Sequence, residues 1–569
     1  PARQPGNLLP AAEAREMTRM NERRLKWTRR GLIGAGALTI AGTSVFAFRR
    51  AVKTEAKPAP ADSKTLHRGN AAEPETLDPH RATTPYEANI IGDMFIGLMT
   101  ENAAGDAVQG AARNFVQNAD GTRYTFTLRD HKWSDGTPVS ADDFVYSFRR
   151  ALSPKTGSQY ASILYPVKNA KAVHGGEMAV EKLGIHARGP RVVRIDFEYQ
   201  VPYLRYLLTH FVSFAVPRHI VEKYGDAWTA PANIATNGAY TLKAWVPNSQ
   251  VELIKNPHFY EAEKVAIERV LYHPVPDFAT ALKRFRAGEL DINNSVPSQE
   301  IAWLRVNMPE ALHLAPFILT QYALFNFTRK PFDDVRVRTA LSMAVDRDII
   351  ARRVMHAGER PAYALVPPHM PGYPARAQIK FRNMAMAERI AKARALLAEA
   401  GFGPGKPLKF EFSFPAQTDA KLVAAALQAM WENIGAEAKL LAAEDSAHYT
   451  RLRKQNFSVA WAGWVADYRD ARNYLHICET SSHDVNYGRY SNPRFDNLIA
   501  QSDRARETMQ RAILLEQAEQ VMLDDVAVAP VYFGASRGLV AKSVKGWIDN
   551  PADINRTRYL SLARDGALS

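Results

Sequence analysis

Hydrophobic and polar residues alternate along an early stretch of the chain, and the period then changes. Residues 124–129 (YTFTLR) alternate, which predicts a strand with one buried face. Residues 134–138 (SDGTP) are typical of a turn. Ser140 then takes the N-cap position of a predicted helix, and Asp143 completes a capping box. Apolar residues recur every four positions along this helix, at Phe144, Phe148 and Leu152.

Patterns that predict strands and helices recur further along the chain. Residues 335–355 read as an amphipathic helical stretch, and residues 386–400 as an Ala-rich helix that Gly401 ends in a left-handed conformation. Residues 409–414 (KFEFSF) alternate as a strand, and residues 419–434 indicate another helix. Because strands and helices alternate without an internal repeat, the sequence predicts α/β lobes.

Composition and charge narrow the classes of partner. The chain has 569 residues, 46% of them hydrophobic, which is enough for two or three packed lobes. Its formal net charge is +14, but residues 1–57 hold 12 Lys and Arg against 4 Asp and Glu, or +8 of that total. The remaining +6 is spread over the body without a basic stripe and interleaved aromatic residues, so no nucleic-acid partner is predicted.

The first sixty residues have the pattern of a targeting segment. Residues 21–30 are basic and residues 31–48 are weakly apolar, which is the pattern of a signal peptide. The pair Arg29-Arg30 resembles a twin-arginine export signal, with a Sec signal as the alternative. We expect cleavage after Ala47 or within residues 59–61.

The other interpretation of the apolar stretch is an uncleaved membrane anchor, because its length is near the lower limit for spanning a bilayer. Translation starting at Met17 or Met20 would give an n-region of normal length. Either interpretation places the body of the protein outside the cytoplasm. Residues 1–61 are therefore predicted to be an extension, a signal and a linker.

Catalytic and metal motifs are weak. Residues 534–538 (GASRG) match the nucleophile-elbow pattern around Ser536, but the residues that follow alternate and do not open a helix, as the elbow requires. There is no His-Glu-x-x-His motif, and the single cysteine, Cys478, excludes multi-cysteine metal sites and intrachain disulfides. A buried, inert thiol is the expectation for Cys478. The sequence predicts no enzyme activity, no cofactor and no metal.

Seven segments stand out in order along the chain: 66–80 (LHRGNAAEPETLDPH), 128–154 (LRDHKWSDGTPVSADDFVYSFRRALSP), 231–245 (PANIATNGAYTLKAW), 285–292 (FRAGELDI), 332–350 (FDDVRVRTALSMAVDRDII), 460–475 (AWAGWVADYRDARNYL) and 529–540 (APVYFGASRGLV). Together they resemble the oligopeptide-binding proteins of bacterial ABC importers, the peptide/nickel class (family 5) of extracellular solute-binding proteins. Within this class the chain is most similar to oligopeptide and murein-peptide receptors. The resemblance covers nearly everything from Lys64 to Ser569.

The resemblance implies an α/β, two-lobed periplasmic-binding-protein (flytrap) fold with mixed sheets and an extra domain in the first lobe. Domain I would combine residues 62–95, 218–318 and 536–569, and domain II would be residues 96–217. Domain III, the opposing lobe, would be residues 319–535. Two strands would form the hinge, and the lobes would close on the ligand. The expected protein is a monomeric periplasmic receptor that delivers short peptides to an inner-membrane ABC permease with its ATPase subunits.

The resemblance also implies a peptide-binding site. By alignment, Asp467 binds the peptide α-ammonium, the backbone of Gly463 and Val465 pairs with the peptide, and Trp464 walls a side-chain pocket. The alternative for Asp467 is a carboxylate that caps a turn. Two further positions carry over: Tyr160, which would contact the ligand backbone or else pack in the core, and the segment Thr83-Thr84-Pro85, which would be a strand edge that bonds the peptide.

Two departures from the family pattern affect the expected ligand. Trp461 stands where enteric receptors have a basic residue that receives the ligand carboxylate, so Arg451, Arg453 or Lys454 would have to substitute or else form a solvated face. Leu319 and Val465 align with two half-cystines, and both are apolar here. Ligand alternatives on the same fold are a nickel chelate, haem, glutathione or an opine, and an exported peptidase using Ser536 is the alternative of another class.

Overall fold

The computed structural model describes residues 64–294, 296–368 and 370–563. The expected extension, signal and linker of residues 1–61 lie outside the described residues. Within the described ranges, no helix combines the length and the apolar character needed to cross a membrane.

The strands form one large mixed sheet and a smaller one, with two further two-stranded pairs. The large sheet runs in the order β15-β14-β16-β12-β17-β11-β1-β10-β9-β8, with β13 on β17, and the smaller runs β4-β5-β7-β6. The strands are β1 Thr65–Gly69, β2 Met99–Glu101, β3 Ala107–Gln109, β4 Ala112–Gln117, β5 Arg123–Leu128, β6 Ile185–Ala187, β7 Val192–Asp196, β8 Tyr240–Val246, β9 Gln250–Lys255, β10 Arg269–His273, β11 Ile292–Asn293, β12 Leu312–Phe325, β13 Arg360–Pro361, β14 Leu408–Pro415, β15 Ala436–Ala443, β16 Val459–Val465, β17 Val528–Val540, β18 Val544–Lys545 and β19 Ser561–Leu562.

Helices lie between the strands, as the α/β pattern predicts. The longer helices are α1 Pro85–Met94, α2 Ala141–Leu152, α3 Arg218–Tyr224, α4 Phe278–Arg286, α5 Ile301–Asn307, α6 Val335–Met343, α7 Met386–Glu399, α8 Thr418–Glu432, α9 Asp445–Arg453, α10 Pro493–Arg504 and α11 Thr508–Asp524. Short helices are Ala170–His174, Leu204–Leu207, Arg347–Ile349 and Ala471–Leu475, and a π-helical turn spans Ile350–Met355.

The local signals in the sequence hold where they were strongest. The Ser140 side chain caps α2 and accepts a hydrogen bond from the backbone N–H of Asp143. The Asp143 carboxylate in turn accepts from the backbone N–H of Ser140, so the predicted capping box is confirmed. The predicted strand at 409–414 is β14, and the predicted helix at 419–434 is α8, with Trp431 fully buried. Gly401 follows α7 with φ +87°.

The predicted helical stretch at residues 335–355 is broken and not continuous. It consists of α6, a short helix capped by Asp346 and a π-helical turn. The break has a local cause: the buried guanidinium of Arg347 donates to the carbonyl oxygens of Ser342 and Val345. A cation that binds the last carbonyls of a helix satisfies them in place of the next helical turn.

Strands β12 and β17 are the longest in the large sheet and connect its two ends. β12 pairs with β16 along Leu319–Phe325, while the far end of β17 pairs with β11. The β12–β17 ladder itself shifts register between Pro316 and Thr320. β12 and β17 therefore run through both halves of the large sheet. The register shift between Pro316 and Thr320 is the irregular step that separates the two halves.

Buried apolar residues gather mainly in two cores, one on each side of that step. One core draws on residues 318–533, and the other draws on residues 66–272 together with 292 and 540–560. A much smaller cluster packs around α4 and α5. The predicted limits of domains I, II and III stay a prediction.

Candidate functional site

Strand β16 presents one unpaired backbone edge beside the cavity described below. β14 pairs with β16 only at Val459 and Ala460, so the rest of that edge is free of any described strand. On the other edge, the Ala466 N–H donates to Ile318 O, and the Asn326 N–H donates to Ser458 O. Hydrogen-bonded pairs alternate along an antiparallel ladder. In this register the backbone groups of three residues therefore point to the unpaired edge, namely Trp461, Gly463 and Val465.

Asp467 follows the end of this strand and has an amide as its side-chain partner. The Asn473 side-chain amide donates to Asp467 Oδ2 at 3.1 Å. Asn473 Oδ1 in turn accepts from the Asp467 backbone N–H and from Trp464 Nε1, at 3.1 and 2.8 Å. These bonds fix the orientation of the carboxylate and, at the same time, the indole ring.

The Asp467 carboxylate lacks a cation within the described part of the chain. Burial, partly offset by the Asn473 bond and by His476, raises the pKa of Asp467 to about 6. A raised pKa means that the ionised form is destabilised where it stands. The predicted alternative, a carboxylate that only caps a turn, would show backbone N–H groups as partners, but the partner recorded for this side chain is Asn473.

A cavity of about 410 Å³ opens beside Asp467. It brings together Asp467 and Val465 with Tyr160, Thr83 and Thr84, which lie more than three hundred residues earlier in the sequence. Tyr160 packs its ring against Phe211 and His210, at centroid distances of 5.6 and 4.9 Å. Burial and the nearby Asp467 carboxylate raise the pKa of Tyr160. The structure thus gathers five of the seven predicted site residues around one space.

The segment Thr83-Thr84-Pro85 is not the strand edge that the resemblance implies. Thr84 caps α1, with Pro85 at the first helical position. The backbone N–H groups of Thr83 and Thr84 both donate to the Glu87 carboxylate, at 2.7 and 2.9 Å. Their amides are therefore already used. Thr84 also donates its hydroxyl to the Glu87 carboxylate and accepts at its carbonyl oxygen from the Ala88 N–H, so Thr83 has more polar groups left for a ligand than Thr84.

Gly463 and Trp464 lie outside the lining of the first cavity. Gly463 lines a second cavity of about 210 Å³ together with Trp461, Gln321 and Arg537. A methyl group at Gly463 would lie 2.7 Å from Gln321 Oε1, so that side chain crosses close over the glycine. Trp464 is held by Asn473 and packs against the core of residues 318–533.

The structure shows the contacts of the residues at the two departures from the family pattern. Trp461 is 3% exposed, packs on Tyr532 at 5.9 Å, and has its carbonyl oxygen 2.9 Å from His448 Nε2. Arg451 donates to Asn456 O, and Arg453 donates to Thr450 Oγ1, both local contacts.

Leu319 and Val465 stand directly opposite each other on β12 and β16. They form a pair without backbone hydrogen bonds, the arrangement in which opposing side chains come closest. The two apolar side chains thus occupy positions where close cross-strand contact is favoured.

Ser536 lies inside β17 and not at a strand-to-helix turn. Its hydroxyl donates to Ala315 O at 3.5 Å, across the sheet. A nucleophile elbow needs a sharp turn that projects the serine oxygen, and an extended strand does not provide it. This geometry argues against the predicted peptidase alternative.

Cys478 is 2% exposed, and burial raises the pKa of its thiol, so the expected buried, inert cysteine is confirmed. Among the described residues, no cluster of three or more His, Cys, Asp or Glu side chains could hold a metal ion.

Sequence reasoning missed several groups at the first cavity. Asn473 positions Asp467. Arg556 and Glu101 form an ion pair, 3.4 Å between Nη2 and Oε2, and both residues line the cavity. Asp553 lines it too. Only Asn473 had a usable signal, because it lies six residues after Asp467 in the same short segment.

Comparison with known proteins identifies the family to which this chain belongs. Residues 106–486 match the family model for bacterial extracellular solute-binding proteins, family 5. The chain belongs to this family. The periplasmic oligopeptide-binding protein OppA of Escherichia coli is 36% identical over 94% of this chain and 99% of its own length.

Solved structures of two relatives are similar to the family 5 chain along almost its whole described length. The murein tripeptide-binding protein MppA of Escherichia coli has a TM-score of 0.81 at 33% identity, covering 89% of this chain and 99% of its own. Haemophilus influenzae OppA in complex with RPPGFSPFR has a TM-score of 0.79 at 30% identity, covering 88% and 99%. The two-lobed fold with mixed sheets is confirmed.

Proposed function

We propose that this chain is the periplasmic receptor of an ABC importer, which captures short peptides and delivers them to the inner-membrane permease and its ATPase subunits. Asp467 receives the peptide α-ammonium, and the free edge of β16 pairs with the peptide backbone. The family and its named relatives are binding proteins, which supports a receptor and not an enzyme.

The observation that carries this proposal is an oriented, partly buried carboxylate that lacks a cation inside the described chain. Such a group is costly until a positive charge arrives. An ammonium brings that charge and donates hydrogen bonds, and charge-assisted bonds of this kind are the strong ones. Nearly every short peptide carries the group, so this contact ignores peptide sequence.

The contact between β16 and the peptide backbone is also independent of the peptide sequence. Gly463 and Val465 direct their N–H and C=O groups to the unpaired edge of β16. An extended peptide can add to such an edge as a further strand, with main-chain hydrogen bonds supplying affinity. Of the alternative ligands, haem and a nickel chelate are less suited because they offer no ammonium for Asp467.

The test crosses one substitution with one chemical change in the ligand. Ala-Ala-Ala and its N-acetyl form are titrated by calorimetry into the native protein and into Asp467→Asn. We expect acetylation to cost the native protein about 2–4 kcal/mol, and to cost Asp467→Asn little, because each change removes the same buried charge pair. Asp130→Asn, which removes an exposed carboxylate with a side chain 75% accessible, is the matched control.

Native protein that binds the free and the acetylated peptide equally well would refute the assigned role. So would an acetylation penalty of unchanged size in Asp467→Asn.

A further inference from the structure

The cavity beside Asp467 contains a second carboxylate without a cation. Asp553 lines the same space, in the loop that follows β18. Its backbone N–H donates to Asn550 O at 3.0 Å, but its carboxylate makes no hydrogen bond or ion pair within the described ranges. Asp553 and Asp467 therefore both lack a counter-ion within the described residues, and both line one cavity.

The backbone at Asp553 has φ +53°, in the left-handed region that aspartate enters more readily than most side-chain-bearing residues and that glycine adopts freely.

The charges on the cavity wall do not balance. The charged side chains that line it are Glu101, Arg556, Asp467 and Asp553. Arg556 is paired with Glu101, which cancels one positive and one negative charge, so the wall carries −2 when Asp467 and Asp553 are both ionised. The nearby His210 is neutral, because burial lowers its pKa to about 3. One peptide ammonium at Asp467 would still leave the wall at −1.

The surroundings of Asp553 do not supply an ion-pair partner within the described residues. Arg68 acts on Asp553 through its charge, but its Nη1 is bonded to Asn555 O and Thr557 Oγ1, at 2.9 and 2.8 Å. Burial, opposed by Arg68 and reinforced by Asp549, raises the pKa of Asp553 to about 7. The Asn294 side-chain oxygen also lines the cavity and is buried without a hydrogen-bond donor. Two acceptors that line the cavity, the Asp553 carboxylate and Asn294 Oδ1, thus lack a donor within the described residues.

We propose that Asp553 is a second cation-binding group, which makes the receptor selective for peptides whose first residue has a basic side chain. This inference rests on the proposed function, in which Asp467 holds the α-ammonium. The size of the space agrees: a sphere of 410 Å³ is about 9 Å across, enough for both nitrogens of one extended lysine residue. The side-chain nitrogen would then lie between Asp553 and the Asn294 oxygen.

The test separates charge from shape at the first residue of the peptide. Lys-Ala-Ala is compared by calorimetry with norleucine-Ala-Ala, which keeps the length of the side chain but lacks its charge. We expect the native protein to prefer the lysine peptide by about tenfold. Asp553→Asn should abolish the preference while leaving norleucine-Ala-Ala affinity within about threefold.

Two variants control for effects on folding. Asp553→Gly removes the carboxylate and also suits the left-handed backbone, so it should lose the preference without losing stability. Asp549→Asn removes the neighbouring carboxylate, which bonds His313 outside the cavity lining, and should retain the preference.

The possible failures are distinguishable. Native protein that binds norleucine-Ala-Ala but shows no preference for lysine overturns this inference and leaves the proposed function standing. A preference that survives in both Asp553 variants overturns it as well. If no free-amine peptide binds at all, the proposed function fails and this inference falls with it.

Discussion

Two sets of buried charges lie side by side after β16, and only one of them is complete. Asp470 accepts two bonds from the Arg511 guanidinium, at 2.8 and 3.0 Å. Arg472 binds Glu479 and Asp503 with similar geometry. Asp467 lies just before them and holds only an amide. A buried charge with its counter-ion inside the chain supports structure, whereas one without it is available to a ligand.

The pKa values express the same contrast. Although burial opposes it, Arg472 lowers the pKa of Glu479 to about 2. Burial without a counter-ion raises that of Asp467 to about 6. The pKa values of two carboxylates in one short segment are thus shifted in opposite directions, because Arg472, with His476, stabilises ionised Glu479 and no guanidinium does so for Asp467.

The largest expected effect comes from breaking the complete set. Arg472→Met should destabilise the protein by about 3–5 kcal/mol, because Asp503 would lose its guanidinium and Glu479 would keep only His476 and Ser482 as partners. Denaturant unfolding measures this loss. Arg191→Met, which breaks an exposed pair with Asp130, is the control and should cost less than about 1 kcal/mol. A loss as small as the control's in Arg472→Met would erase the distinction between the two sets.

The next effect is a dependence of peptide affinity on pH. Below about pH 6 the free protein carries a proton on Asp467, and this proton must leave when the ammonium binds. The dissociation constant for Ala-Ala-Ala should therefore rise by up to about tenfold per pH unit below pH 6, and Asp467→Asn should flatten this limb. Calorimetry from pH 4.5 to 8 gives the profile, and a flat profile in the native protein would contradict the assignment.

The smallest effect is a gain in stability from removing the unpaired charge. The folded-state pKa of Asp467 lies above the ordinary 3.8, so its contribution to stability is retained at low pH and is lost as pH rises through about 6. Asp467→Asn should stabilise the ligand-free protein by about 1 kcal/mol at pH 8, after allowance for solvent screening, and by almost nothing at pH 4. Thermal unfolding at both pH values would detect it; destabilisation at pH 8 would mean that the carboxylate is structural.

Much of the fold was predictable because its signals are local. The capping box at Ser140 and the alternation that gave β14 depend on residues a few positions apart. The prediction failed at two places where a nearby side chain competes for the backbone: Glu87 takes the amides of Thr83 and Thr84 in a second capping box, and Arg347 ends α6 early.

The site divides in the same way. Asp467 was predicted because the resemblance marks its segment, and Asn473 lies close by in sequence. Glu101, Asp553 and Arg556 come from the two ends of the chain, and no spacing along the sequence brings them together. The free edge of β16 depends on where β14 diverges, which is a property of the sheet and not of any motif.

A crystal structure of the complex with Ala-Ala-Ala would test the central claim most directly. We expect the peptide nitrogen to lie about 3 Å from the Asp467 carboxylate, with the peptide backbone bonded to Gly463 and Val465. A bound peptide whose ammonium faces solvent, with Asp467 still bonded only to Asn473, would contradict the account.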